Sequence, residues 1–241
     1  MKKLIIAAAV AGLTAGAAFA QDTVRLATEG AYPPFNFVND AGQVDGFERE
    51  LGDELCERAE LTCTWVTNDW DSIIPNLTSG NYDAIIAGMS ITDERKKDID
   101  FTSNYTQPDP SSYVVMREDV DVTSPDSVVA AQANTIQAGY VASSGAKLVE
   151  FPTPEETMAA VRNGEADAVL SDKAYAVPAT EEDPDLMILG DDILLGDGMA
   201  IGVRKSDTAL NRKFSDAIDS MKDDGSLNAL IDKWLDGAAK F

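Results

Sequence analysis

Ser90 and the pair Ser171-Asp172 stand directly behind two short apolar runs that share one pattern. Ser79-Gly80-Asn81-Tyr82-Asp83-Ala84-Ile85-Ile86 is echoed by Asn163-Gly164-Glu165-Ala166-Asp167-Ala168-Val169-Leu170. Each copy reads as a helix stopped by glycine and then a short buried strand. Gly88-Met89-Ser90 follows the first copy and Ser171-Asp172 the second. In open α/β sheets, ligands collect just beyond the carboxyl ends of strands. Two lobes that each deliver polar groups at that place suggest a cleft with a ligand between them.

What the chain lacks narrows the chemistry. It has 241 residues and no histidine, which removes Ser-His-Asp and Cys-His catalysis together with the usual zinc sites. The acidic run Glu181-Glu182-Asp183-Pro184-Asp185 has no Asp-x-Asp-x-Asp-Gly spacing and reads as a solvated loop rather than a calcium site. No metal, cofactor or catalytic residue is expected. The balance of 19 basic against 42 acidic residues, net −23, gives a surface that repels nucleic acid and anionic lipid.

Lys2 and Lys3 precede an apolar run from Leu4 to Phe19, and Ala18-Phe19-Ala20 has the small-x-small form of a cleavage site. Residues 1–20 therefore read as an export signal cut after Ala20. With no cysteine at the new N-terminus and no later spanning stretch, the expected product is exported, monomeric and without a membrane anchor. Cys56 and Cys63 are the only cysteines, and in an exported chain such a pair reads as a disulfide, the alternative being two buried thiols. Without a Cys-x-x-Cys spacing, a redox role is not expected.

The elements that must position these groups alternate between strand and helix, which makes the class α/β. The pattern predicts a strand at Val24–Thr28, a loop at 29–35, a helix at Phe47–Arg58 with the stripe Phe47, Leu51 and Leu55, and a strand at 61–66. A helix starting near Trp70 or Asp71 and ending at Gly80 would hold Pro75 in its first turn. Ser90 or Thr92 is expected to cap another helix, with Asp93 and Glu94 against its dipole. Gln107-Pro108-Asp109-Pro110 reads as a crossing between lobes. Thr153-Pro154-Glu155-Glu156 is a strong helix start. A strand at 199–203 and helices over 211–235, broken at Asp224-Gly225, complete the chain.

Several of these segments resemble one family. Tyr82-Asp83-Ala84-Ile85-Ile86-Ala87-Gly88-Met89-Ser90-Ile91-Thr92, with Arg95 and Asp100-Phe101, looks like the signature of periplasmic amino-acid-binding proteins of ABC transporters. The lysine/arginine/ornithine- and histidine-binding branch is the most similar. Ala27-Thr28-Glu29-Gly30-Ala31-Tyr32-Pro33-Pro34-Phe35, Gly46-Phe47-Glu48, Cys56 with Cys63, Asp71 with Ile74-Pro75, and Asp224-Gly225-Ser226 with Lys233-Trp234 extend the likeness over the mature chain. The resemblance implies the type II, flytrap form of the two-lobed periplasmic binding protein, with two crossover strands at the hinge. One lobe would span 22–107 plus 199–241 and the other 112–194, with crossovers at 108–111 and 195–198.

The same resemblance assigns roles to residues. Arg95 matches the clamp on a ligand's α-carboxylate, for which a planar guanidinium offers two parallel bonds. Asp172 matches the acid that receives the α-ammonium group; read without the family, it is a helix N-cap. Ser90, the backbone of Gly88 and Thr135 complete the set. The segment Gln132-Ala133-Asn134-Thr135 departs from the family's glycine-serine/threonine form, which opens the alternative that Asn134 bonds the carboxylate. Tyr32 and Trp70 occupy the positions that sandwich the ligand side chain, and Glu29 falls where relatives carry an acid facing a basic one. The implied function is capture of arginine, lysine, ornithine or histidine, arginine first, by lobe closure, and delivery to an inner-membrane permease. Gly88 stands where some relatives have serine, which leaves an opine as an alternative ligand. A cyclohexadienyl dehydratase on the same fold, with Glu29 as general acid, is the enzymatic alternative.

Overall fold

The computed structural model describes residues 23–241, so the export signal read at 1–20 lies outside the described residues. β1 (Val24–Thr28) leads into a small antiparallel sheet of β2 (Ala31–Tyr32), β3 (Asn36–Val38) and β4 (Val44–Asp45). The stretch 29–35 is thus not all loop. α1 (Phe47–Arg58) has the bounds the pattern predicts, and Phe47, Leu51 and Leu55 are fully buried. β5 (Cys63–Thr67), α2 (Trp70–Thr78), β6 (Ala84–Ile85) and β7 (Ile99–Asn104) follow. Cys56 and Cys63 form the disulfide that ties the end of α1 to β5, with Cα atoms 6.2 Å apart.

β8 (Pro110–Val115) opens a second sheet, continued by β9 (Val128–Gln132), α3 (Ile136–Ser144), β10 (Lys147–Phe151), α4 (Pro154–Arg162), β11 (Ala168–Asp172), α5 (Lys173–Glu182) and β12 (Met187–Leu194). The chain then returns through β13 (Ala200–Arg204), α6 (Thr208–Asp223) and α7 (Ser226–Trp234). α4 begins with the full reciprocal cap between Thr153 and Glu156. Gly225, at φ 79°, separates α6 from α7 as expected.

The two lobes repeat one topology. The first sheet runs β5-β1-β6-β13-β7 and the second β10-β9-β11-β8-β12. In each, three parallel strands are followed by a reversed fourth, and the fifth pairs antiparallel to that fourth and so runs with the first three. The fourth strand is contributed by the chain as it arrives from the other lobe: β8 after the first crossing, β13 after the second. The sequence echo has a physical basis in this repeat. Asp83 accepts the Arg25 N–H at 3.0 Å and returns its own N–H to the Arg25 carbonyl at 2.9 Å. Asp167 does the same with Val128, at 2.9 and 2.8 Å. Each aspartate thereby pins the start of its third strand to the first, which sets where that strand's carboxyl end lies.

Two local expectations differ from the structure. α2 starts at Trp70 as expected, but Pro75 is then its sixth residue and sits in the second turn rather than the first. After Ser90 there is only a three-residue 3-10 turn, Arg95–Lys97, although Thr92 does cap it by accepting the Arg95 N–H at 3.1 Å. The acidic run is divided: Glu181 and Glu182 end α5, and Asp183 pairs with Arg162 at 2.7 Å.

The crossings pack closely. A side chain at Gly198 would place its Cβ 2.4 Å from the Thr106 carbonyl oxygen, so only glycine lets the returning strand lie against the outgoing one. Among the described residues no helix is long and apolar enough to cross a membrane.

Candidate functional site

Between the sheets lies a cavity lined by Glu29, Tyr32, Trp70, Gly88, Ser90, Arg95, Thr135 and Asp172, so eight of the nine proposed ligand residues converge. Glu29 directly follows β1 and Asp172 ends β11. Ser90 is held by a single bridge to Met199 beyond β6. The site therefore sits at the carboxyl ends of parallel strands of both sheets, where polar groups from opposite lobes can meet one ligand.

Arg95 forms one wall. Its guanidinium donates to the Ser90 carbonyl at 2.7 Å and to the Asn134 carbonyl at 3.1 Å, and stacks 5.1 Å above the Trp70 ring. A guanidinium has five N–H donors, so three remain for a ligand. Burial lowers its pKa to about 10, with Asp172 acting in the opposite direction, and it stays cationic at neutral pH. The Ser90 hydroxyl and the Thr135 backbone N–H have no hydrogen-bond partner among the described residues. Thr135 caps α3, accepting from the Ala138 N–H at 3.2 Å.

Asp172 faces the same cavity and is 6% exposed. It occupies the N-cap position of α5, as read, but its side chain makes no hydrogen bond to that helix. Its two oxygens accept from the Tyr32 hydroxyl and the Gln137 amide, each at 2.8 Å. Burial raises its pKa to about 6 against the pull of those donors and of Arg95. Asp109, in the first crossing, is held at about 7 by burial and by the Asp172 charge.

The far end of the cavity is acidic. Burial, reinforced by Asp71, Asp69 and Glu48, raises Glu29 to about 7, while a 2.7 Å bond from the Gln132 amide opposes that rise. Trp70 Nε1 reaches across to the Ala133 carbonyl at 3.0 Å. Tyr32 and Trp70 both line the cavity, and Tyr32 stacks on Tyr175 of the second lobe, with centroids 4.6 Å apart.

One expectation needs correction. Asn134 does not line this cavity: with φ 59° its side chain turns out to Asp71 at 3.1 Å, leaving only its carbonyl on Arg95. Gly88 lines the cavity with φ 59°, a backbone that favours glycine, and an added Cβ there would stand in ordinary contact with the Tyr32 ring at 3.5 Å. The Gly88 N–H is also engaged, by Glu48 at 2.6 Å, so only its carbonyl is open to a ligand.

Glu48 is a buried brace behind the cavity to which the sequence reading gave no role. It is fully buried, takes bonds from Asn36, Gly88 and Tyr105, and is pushed up by burial. Asn36 in turn holds the Gly30 N–H at 2.7 Å, so one carboxylate fixes both loops that carry Glu29 and Gly88. Gln132 and Gln137 were missed as lining residues, whereas Ser171 lines the cavity beside Asp172 as the pattern behind the second apolar run suggests. Gln132 begins the segment that departs from the family pattern, and Gln137 lies two residues beyond its end.

Known proteins provide the context for this geometry. Residues 24–237 match the model of bacterial extracellular solute-binding proteins, family 3. The chain is 32% identical over 245 residues to a putative ABC transporter arginine-binding protein 2 of Escherichia coli strain K12, covering 98% of this chain and 99% of that protein. It is 31% identical over 255 residues to the lysine/arginine/ornithine-binding periplasmic protein of the same organism, covering 98% of each. Among solved structures, a periplasmic His/Glu/Gln/Arg/opine family-binding protein from Silicibacter pomeroyi in complex with lysine superposes with a TM-score of 0.88 at 64% identity, covering 90% of this chain and all of that one. With the fold, the interlobe cavity and these likenesses in agreement, the chain belongs to family 3 of the bacterial extracellular solute-binding proteins.

Proposed function

We propose that this protein is the periplasmic substrate-binding component of an amino-acid ABC importer, and that it captures a cationic amino acid, arginine first among arginine, lysine, ornithine and histidine. One observation carries the reading: a guanidinium and a buried carboxylate line the same interlobe cavity as a second carboxylate, Glu29. Arg95, with the Ser90 hydroxyl and the Thr135 amide, takes the ligand's α-carboxylate. Asp172 and the Gly88 carbonyl take its α-ammonium group. Trp70 and Tyr32 flank the aliphatic stem, and Glu29 faces the terminal cation. Charge-assisted bonds of this kind contribute about 1.5–3 kcal/mol each.

Capture proceeds by closure. Residues 22–107 plus 199–241 form one lobe and 112–194 the other, with 108–111 and 195–198 as the hinge. The closed form then docks, as a monomer freed of its export signal, on an inner-membrane permease. The same groups grip both ends of a zwitterion, which favours a binding protein over the dehydratase reading.

Isothermal calorimetry with a panel of amino acids tests this. Arginine and lysine should bind while aspartate and leucine do not. No heat from any basic amino acid at tens of micromolar protein would overturn the proposal.

A further inference from the structure

The turn after β9 is tied to the opposite lobe outside the cavity. Trp70 Nε1 of α2 donates to the Ala133 carbonyl at 3.0 Å, and the Arg95 guanidinium donates to the Asn134 carbonyl at 3.1 Å. The Asn134 amide runs the other way, donating to Asp71 of α2 at 3.1 Å. Asp71 offers only acceptors, and that fixes the amide nitrogen as the atom facing it. Three bonds therefore hold two consecutive residues of the second lobe to the first, and neither of the two lines the cavity.

The amide bond depends on an uncommon backbone. Asn134 has φ 59° and is one of two non-glycine residues with positive φ among the described residues. Glycine takes that conformation freely, and asparagine is among the few residues with a side chain that tolerate it. Asn134-Thr135 stands where the family form has glycine and then serine or threonine. Glycine would keep the left-handed turn and both carbonyl bonds, but it could not reach Asp71. The Asn134 side chain thus adds a cross-lobe bond to a turn whose backbone does not require one.

We propose that Asn134 and Asp71 form a clasp across the rim of the cleft, which slows release of the ligand without taking part in its recognition. This rests on the reading of the chain as an amino-acid-binding protein that closes on its ligand. The bond joins residues of opposite lobes, so it forms as they close and must break before they part. It touches no ligand atom. It therefore lengthens the life of the closed complex alike for every ligand and leaves the encounter unchanged. Both partners are exposed and water competes for each, so the effect belongs at the low end of the hydrogen-bond range.

The test measures arginine and lysine release by stopped flow in the wild type, Asn134→Gly, Asp71→Ala and the two changes combined. Asn134→Gly should speed release by about two- to fourfold, by the same factor for both ligands, with association within about twofold of wild type. On the Asp71→Ala background the same change should have no further effect, since the bond is already gone. Any flexibility that glycine adds, and any effect of the Asp71 charge, appears on both sides of that comparison and cancels. A release rate in Asn134→Gly indistinguishable from wild type overturns the inference. So does an equal acceleration on the Asp71→Ala background, or one confined to a single ligand. Wild-type protein that binds neither ligand would instead reject the functional reading, a distinguishable failure.

Discussion

The Tyr32 hydroxyl of the first lobe donates to the Asp172 carboxylate of the second at 2.8 Å, and the same ring stacks on Tyr175. In the proposed mechanism that carboxylate is the seat of the ligand's ammonium group, so Tyr32 is a competitor for it as well as a wall of the cavity. Removing only the hydroxyl should tighten ligand binding: a neutral hydrogen bond contributes about 0.5–1.5 kcal/mol, which is about two- to twelvefold in affinity. Tyr32→Ala should weaken it, through loss of the ring. Opposite signs for Tyr32→Phe and Tyr32→Ala in titration calorimetry are the expected result; the same sign for both would remove the competition.

Arg95 should be indispensable for every amino acid, whatever its side chain. Two charge-assisted bonds at about 1.5–3 kcal/mol each put the loss on Arg95→Ala at about 10²–10⁴-fold. Arg95→Lys should not restore binding, because an ammonium cannot bond Ser90, Asn134 and a carboxylate in one plane. Wild-type-like affinity in Arg95→Lys would show that charge alone suffices.

Binding should depend on pH differently for cationic and neutral ligands. Glu29 titrates at about 7 and Asp172 at about 6 in the free protein, both raised chiefly by burial. A cationic side chain favours ionised Glu29, so its binding releases a proton when the pH is below about 7. Affinity for arginine should therefore be flat above that value and fall below it, by up to about tenfold per pH unit for one proton. A neutral ligand needs only Asp172 ionised and should weaken only below about 6. Calorimetry in buffers of different ionisation enthalpy measures the proton directly. Glu29→Gln should abolish the upper of the two transitions.

Two braces should contribute stability without touching the ligand. Asp83 bonds Arg25 through backbone and side chain and also pairs with Arg204 at 3.0 Å. Asp83→Ala should cost about 2–4 kcal/mol, since it strips a bonded charge from two arginines. Paired Cys56→Ser and Cys63→Ser changes should cost about 2–3 kcal/mol for so short a loop. Thermal melts should register both losses while arginine affinity stays within about twofold.

The sequence made the path of the chain legible because its signals were local. The α1 stripe, the Thr153 cap and the break at Gly225 each depend on residues a few positions apart, and each appears where it was read. The helix expected after Ser90 failed for a tertiary reason: Arg95 turns inward to bond two carbonyls, and the backbone tightens into a single 3-10 turn. Eight lining residues were legible through their match to a family pattern. Asn134 was not, since its left-handed backbone aims the side chain out of the cavity, and a one-residue reversal of that sort leaves no trace in spacing. Glu48 was hidden for the opposite reason: lying in the first turn of an amphipathic helix, it reads as an ordinary dipole partner, and only burial reveals it.

The position of β13 bears on how the molecule is assembled. That strand lies between β6 and β7, yet it is made from some of the last residues to emerge, Ala200–Arg204. The second sheet is complete once Leu194 has been delivered. A chain arriving from its N-terminus can thus finish the later lobe while the earlier one still has a gap down its middle, and the lobe that starts first is the one that must close last.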